Sequence, residues 1–211
     1  MELRNTGLKL VRDDNDGRPN RCRACFVGKA GVGKTSLLTR YRTGKFDQYV
    51  DSTIGATFTG KTFKTPKGDV GINIWDTAGQ ERYDALGPMY YRSTDVFVIV
   101  VSAQPSEHAE SISRARQYIK KINSTVDPKQ YMFVINKIDL KSADVKNIRD
   151  NLIKWLKKQP IPYVIIETSA WTGEGMENFA QHLKQFAVVY SDPILHTRFI
   201  PKTPSSRKGC C

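Results

Sequence analysis

The sequence predicts an α/β domain, a mostly parallel six-stranded sheet with helices on both faces. Three observations predict it. Residues 96–101, 132–135 and 163–166 are short apolar runs of the type found in strands covered on both sides. Between and after them, apolar residues recur at helical spacing: Ile112, Ala115, Ile119 and Ile122; then Val145, Ile148, Leu152 and Leu156; then Met176, Phe179, Ala180, Leu183 and Phe186. Finally, Gly28-Lys29-Ala30-Gly31-Val32-Gly33-Lys34-Thr35 matches the pattern G-x-x-x-x-G-K-[ST] and stands between a strand-like run at 21–27 and a helix-like one at 34–42. Strands alternating with helices gather their ligands at the carboxyl ends of the strands.

The 211 residues, 39% of them hydrophobic, suffice for one domain with a sizeable core. The expected organisation is a mobile extension over 1–20, a folded domain over 21–190 and a flexible tether over 191–211. The longest apolar run is far short of the ~20 residues that cross a bilayer. The N-terminus lacks the apolar stretch of a signal peptide, and Glu2 stands where N-myristoylation needs glycine, so the chain is expected to stay in the cytosol. The net charge of +12 is spread along the chain, which reads as a solvated surface with diffuse attraction to anionic surfaces. No nucleic-acid partner is expected.

Residues 1–20 hold few apolar groups, and their acidic cluster at Asp13, Asp14 and Asp16 is no calcium loop: its first and last ligand positions fall on Arg12 and Arg23. The strand at 21–27 carries Cys22 and Cys25, which as residues three apart on a strand face opposite sides, with no second pair to complete a zinc site. They are expected to be structural. In the glycine-rich loop, backbone N–H groups can turn inward on phosphate oxygens, and the following helix adds its positive end. Lys34 offers a point charge to the outer phosphates, and the Thr35 hydroxyl suits a hard cation, which points to Mg²⁺. The helix carries Leu37, Leu38 and Tyr41. After a polar loop, 57–64 and 70–76 read as a hairpin, the second strand alternating Val70, Ile72 and Ile74.

The remaining motifs fall at strand ends. Asp76-Thr77-Ala78-Gly79-Gln80 puts an acid beside the phosphate loop, where it can hold the Mg²⁺ shell, and a glycine whose N–H can reach the terminal phosphate. Asn136-Lys137-Ile138-Asp139 follows the fifth strand. A carboxylate there can accept two hydrogen bonds from the N1 and amino group of guanine, a donor pair that adenine lacks. Glu167-Thr168-Ser169-Ala170, after the sixth strand, stands where a second wall of a base pocket would be.

With these stretches in order, together with Ser52-Thr53-Ile54-Gly55 and Trp75-Asp76-Thr77-Ala78-Gly79-Gln80-Glu81-Arg82-Tyr83, the chain resembles a Rab-family small GTPase of the Ras superfamily over residues 21–190. Residues 54–58 and 82–92 are most similar to the early-endosomal branch. The resemblance implies the P-loop small GTPase fold and a monomeric GTP-hydrolysing switch in membrane trafficking, with Mg²⁺ as cofactor and GTP or GDP as bound nucleotide. It implies that Ala30, Gly31, Val32, Gly33, Lys34, Thr35 and Ser36 cradle the phosphates, with Lys34 and Gln80 catalytic and Gln80 orienting the attacking water. Thr35, Thr53 and Asp76 would serve the metal, Asp76 through a water. Thr53 would join only when the terminal phosphate is present, and Gly79 would meet that phosphate. Phe46 would cover the base edge, Lys137 would lay its stem along the base, and Asn136, Asp139, Ser169 and Ala170 would complete the base pocket. Segments near 46–58 and 77–92 would order with GTP and loosen with GDP.

Partners implied are an exchange factor, a GTPase-activating protein, effectors and an escort that binds the prenylated tail. The final Cys210-Cys211 resembles the doubly geranylgeranylated Rab ending, whereas Lys208 at the fourth place from the end excludes a C-a-a-X site. The protein would then sit on the cytoplasmic face of an intracellular membrane, endosomal by the branch it resembles, and cycle with the cytosol. Three features depart from the family pattern: Ala30 where many small GTPases have glycine, 98–104 in place of a strand end bearing Tyr and Asp, and a polar first strand. The alternatives are a phosphate-loop kinase or ATPase, for which no acceptor site or lid is visible, a nucleotide-binding scaffold with little hydrolysis, and a nucleic-acid-associated protein supported by net charge alone.

Overall fold

The computed structural model describes residues 21–127, 130–159 and 162–191. The expected N-terminal extension, the tether beyond Ser191 and the Cys210-Cys211 pair lie outside the described residues. Six strands, β1 (Arg21–Val27), β2 (Ala56–Thr65), β3 (Gly68–Thr77), β4 (Val96–Ser102), β5 (Gln130–Asn136) and β6 (Tyr163–Thr168), form one sheet in the order β2-β3-β1-β4-β5-β6. The β2–β3 hairpin is antiparallel and all other pairings are parallel. The helices are α1 (Lys34–Thr43), α2 (Gly87–Tyr91), α3 (His108–Thr125), α4 (Val145–Leu156) and α5 (Met176–Ser191). A 3₁₀ turn, Glu81–Leu86, precedes α2 and, like α2, has too little apolar periodicity to be expected from the sequence.

The sheet divides the interior into two cores. On one side Ala24, Phe26, Ile72, Ile74 and Val98 pack against Leu37 of α1 and Phe179, Leu183 and Phe186 of α5. On the other, Val27, Phe97, Ile99 and Phe133 pack against Ala115 and Ile119 of α3 and Ile148 and Leu152 of α4. Cys22 joins the first core and Cys25 the second, both buried, as expected of strand residues three apart. β4 is buried throughout because it is central and covered twice. β6, expected to be of the same type, is only partly buried, because it forms the outer edge of the sheet beyond β5.

Parallel register brings the strand ends into one row. Phe26 lies opposite Asp76 and Val98, and Asn136 lies opposite Ser102 and Thr168. The loops after β1, β3, β5 and β6 therefore open at the same edge, where all the motifs stand.

Candidate functional site

The phosphate loop leaves β1 at Gly28 and enters α1 at Lys34. Gly33 adopts φ +93°, and a Cβ there would lie 2.4 Å from Asn136 Nδ2. Glycine at this position therefore lets the base-side motif rest on the loop: Asn136 Nδ2 donates to the Val32 carbonyl at 2.9 Å. Gly79 makes the same kind of close approach, since a Cβ would meet the Ala30 nitrogen at 2.4 Å. The Ala30 N–H donates to the Gly79 carbonyl at 3.2 Å, which joins the phosphate loop to the segment after β3. Ala30 is exposed and lines a cleft of about 160 Å³ together with Gly31, Ser36, Thr53, Gly79 and Gln80.

Lys34 is buried and donates to the Gly28 and Lys29 carbonyls at 2.9 and 3.2 Å. Burial lowers its pKa to about 8, against the opposing influence of Asp76 and Cys25. An anion facing this ammonium would restore what burial removes. Asp76, at the end of β3, is also buried, and burial pushes its carboxyl up against the Thr35 hydrogen bond and the Lys34 charge. Thr35 Oγ1 donates to Asp76 Oδ2 at 2.7 Å and lies 2.9 Å from Thr53 Oγ1. Two hydroxyls and a carboxylate thus converge from three separate segments, and Asp76 Oδ1 is buried with no hydrogen-bond partner. Hard oxygen donors with one carboxylate fit Mg²⁺, which keeps waters and takes substrate phosphates as further ligands. Among the described residues no group of three or more His, Cys, Asp and Glu side chains could hold a metal. Gln80 is half-buried beside this cluster, and its Oε1 has no partner.

The base-side motifs form a second cluster. Asn136 Oδ1 accepts from the Ala170 N–H at 3.2 Å and the Thr168 hydroxyl at 3.3 Å, and Asp139 Oδ1 accepts from the Ser169 hydroxyl at 2.5 Å. The β5 and β6 loops are thereby locked together with Asp139 held in place. Lys137 has φ +68° and donates through Nζ to Glu107 Oε2 at 2.7 Å and Gln104 Oε1 at 3.1 Å. Burial pushes the Glu107 carboxyl up, but hydrogen bonds from Lys137 and Ser102, with the Lys137 and Lys29 charges, hold it below the usual carboxylate range. Phe46 is half-buried with its ring centroid 5.2 Å from that of Trp171.

All the expected nucleotide and metal residues thus fall into two adjoining clusters bridged by the Asn136–Val32 contact. Other features were not expected from the sequence. Gln104 and Glu107 hold Lys137, and Arg114 of α3 grips both carboxylate oxygens of Asp84 in the 3₁₀ turn at 2.6 and 2.5 Å. Phe58, Trp75 and Tyr90 form an aromatic row with centroids 5.0 and 5.4 Å apart, and Ile54 and Met89, in the segments that carry Phe58 and Tyr90, are exposed. Phe58 faces Trp75 across the hairpin, so alternation in β2 and β3 carried a signal for that pair. The Arg114 contact joins segments far apart in sequence and has no local signature.

Residues 23–187 match the model of the Ras family. The chain is 32% identical to the Ras-related protein Rab-7a of Dictyostelium discoideum, covering 88% of this chain and 94% of that protein. It is 35% identical to Rab7A of Mesembryanthemum crystallinum, covering 88% and 93%. It is 31% identical to Rab-5A of Dictyostelium discoideum, covering 93% and 89%. With the six-stranded sheet and the two motif clusters at its carboxyl edge, these matches establish that the chain belongs to the Ras family, as a small GTPase of the Rab group.

Proposed function

We propose that this chain is a GTP-hydrolysing switch of endosomal trafficking, with residues 21–190 as its GTPase domain. The observation that carries the reading is the convergence of Thr35, Thr53 and Asp76, with one Asp76 oxygen left without a partner. Backbone N–H groups of residues 30–36 and the Lys34 ammonium hold the phosphates. Thr35, Thr53 and, through a water, Asp76 hold Mg²⁺. When bound, Mg²⁺ offsets the charge of the outer phosphates. Gly79 approaches the terminal phosphate and Gln80 orients the attacking water. Asp139 reads the guanine N1 and amino group, Asn136 and Ser169 brace it, the Ala170 N–H meets the guanine oxygen, and Phe46 and Lys137 border the base.

Loss of the terminal phosphate removes the reason for Thr53 to stay against Thr35, so hydrolysis becomes a change of surface over residues 46–58 and 77–92. Phe58 and Tyr90 of the aromatic row belong to these segments and meet on Trp75 of β3, which supports a role in presenting the surface to effectors. An exchange factor and a GTPase-activating protein set the cycle. The endosomal assignment is supported by relatives named Rab5 and Rab7 at similar identity. Cys210 and Cys211 carry isoprenoid groups that hold the protein on the cytoplasmic face of the membrane and are shielded by an escort during return to the cytosol. Two chains make such attachment stable where one does not. Mass spectrometry of the peptide containing both cysteines, from protein made in its own cells, is expected to find two isoprenoid additions; an unmodified peptide contradicts this part.

A nucleotide titration tests the reading. GTP and GDP should bind tightly in the presence of Mg²⁺ while ATP is ignored, and Asp139→Asn should move preference from guanine toward xanthine. Tight ATP binding, or a variant that keeps full selectivity for GTP over XTP, contradicts the assignment of the base reader.

A further inference from the structure

Trp171 is 61% exposed, although it lies in a loop fixed on every side. Ser169 N–H donates to the Glu174 carbonyl and Gly173 N–H to the Ser169 carbonyl, both at 2.9 Å. Thr172 N–H donates to the Ser169 hydroxyl at 3.0 Å, and Arg40 of α1 donates to the Thr172 carbonyl at 3.0 Å. The indole is therefore presented by a loop that these hydrogen bonds hold in place.

Its aromatic contact is Phe46, at 5.2 Å between centroids and 50° between planes. The segment bearing Phe46 is held differently. From Lys45 to Ser52 the chain has no helix or strand, and its hydrogen bonds are local: Lys45 N–H to Thr43 Oγ1, Thr43 Oγ1 to the Lys45 carbonyl, and Tyr49 N–H to Asp47 Oδ1. Phe46 also packs against the first core. Across this join, one partner is rigid and belongs to the loop that meets the base, while the other is the side chain proposed to cover the base edge.

We propose that Trp171 is the abutment on which Phe46 closes, a positioning residue that governs the rate of nucleotide release. This rests on the assignment of the base pocket above. When Phe46 lifts from the indole, the base edge opens and nucleotide can leave; when the rings are paired, it is retained. Trp171 acts through Phe46, so removing Trp171 once Phe46 is gone should add nothing. One aromatic pair accounts for about a 2- to 10-fold change in rate.

The test uses the full-length protein loaded with a fluorescent GDP analogue and chased with excess GDP. Trp171→Ala is expected to release the analogue about 2- to 10-fold faster, with its association rate changed much less. Trp171→Phe, which keeps a ring, is expected to lie between the two. Phe46→Ala should also release faster, and the double variant should release no faster than Phe46→Ala alone. Release by Trp171→Ala at the parent rate, or rate increases that multiply in the double variant, overturns the proposal while leaving the nucleotide site intact. Failure of the parent protein to retain the analogue overturns the site assignment and this proposal with it.

Discussion

Gln80 reaches the cleft from the first residues after β3, where its Oε1 is buried without a protein partner. A buried amide oxygen left unpaired costs stability, which a water held there would offset. The same oxygen can therefore align a water against the terminal phosphate. Gln80→Leu is expected to lower single-turnover GTP hydrolysis by on the order of 10²-fold, the loss typical of removing one positioned hydrogen-bonding group from a reaction centre. Nucleotide affinity should change little, because Lys34, Thr35 and Asp139 are untouched. Unchanged hydrolysis in the variant contradicts the role of Gln80. At this scale the sequence was informative wherever a motif fixes chemistry by spacing: Lys34, Thr35, Asp76 and Asp139 stand where their patterns put them. It was silent where one residue's role depends on a distant partner. Nothing near Lys137 signals that Glu107 will take its ammonium, and nothing near Arg114 signals Asp84.

The helices and strands carry the site by being buried on the correct side. Phe179 of α5 is fully buried and makes edge contacts with Phe26 of β1 at 6.1 Å and Tyr41 of α1 at 5.8 Å. It therefore ties the last helix to the strand and the helix that flank the phosphate loop. Phe179→Ala is expected to cost about 3–5 kcal/mol in denaturant unfolding, from lost burial and the cavity left behind. A cost below about 1 kcal/mol, the range of a surface substitution, contradicts this placement. The apolar periodicity of α3, α4 and α5 made these elements legible, since their packed faces repeat every three or four residues. The turn at Glu81–Leu86 and the short α2 were not, because a single turn has no period to display. The Arg114–Asp84 pair and the Lys121 ammonium on the Asp84 carbonyl hold that turn against α3. Its position is thus set by tertiary contacts that local propensity cannot report.

Across the whole molecule, the parallel register aligns four loops, and the segments expected to move meet there with the segments expected to bind. Thr53 lies against Thr35 and the Gly79 carbonyl accepts from the Ala30 N–H, so both segments after α1 and β3 touch the phosphate loop. These are few and polar contacts. On the proposed function, a terminal phosphate would reinforce them and its loss would release them. The fold class follows from alternating apolar runs and helical stripes, which burial enforces, whereas the strand order is seen only in the folded sheet. The aromatic row at Phe58, Trp75 and Tyr90 was only half legible, because a large side chain on the outer face of a hairpin reads like any exposed residue until its neighbours are known. Amide hydrogen exchange, compared between the GDP form and a form loaded with a non-hydrolysable GTP analogue, tests the switch most directly. Slower exchange over residues 46–58 and 77–92 with the analogue, and no comparable change in β4 or β5, is the result expected; equal exchange in both forms, with both nucleotides tightly bound, contradicts it.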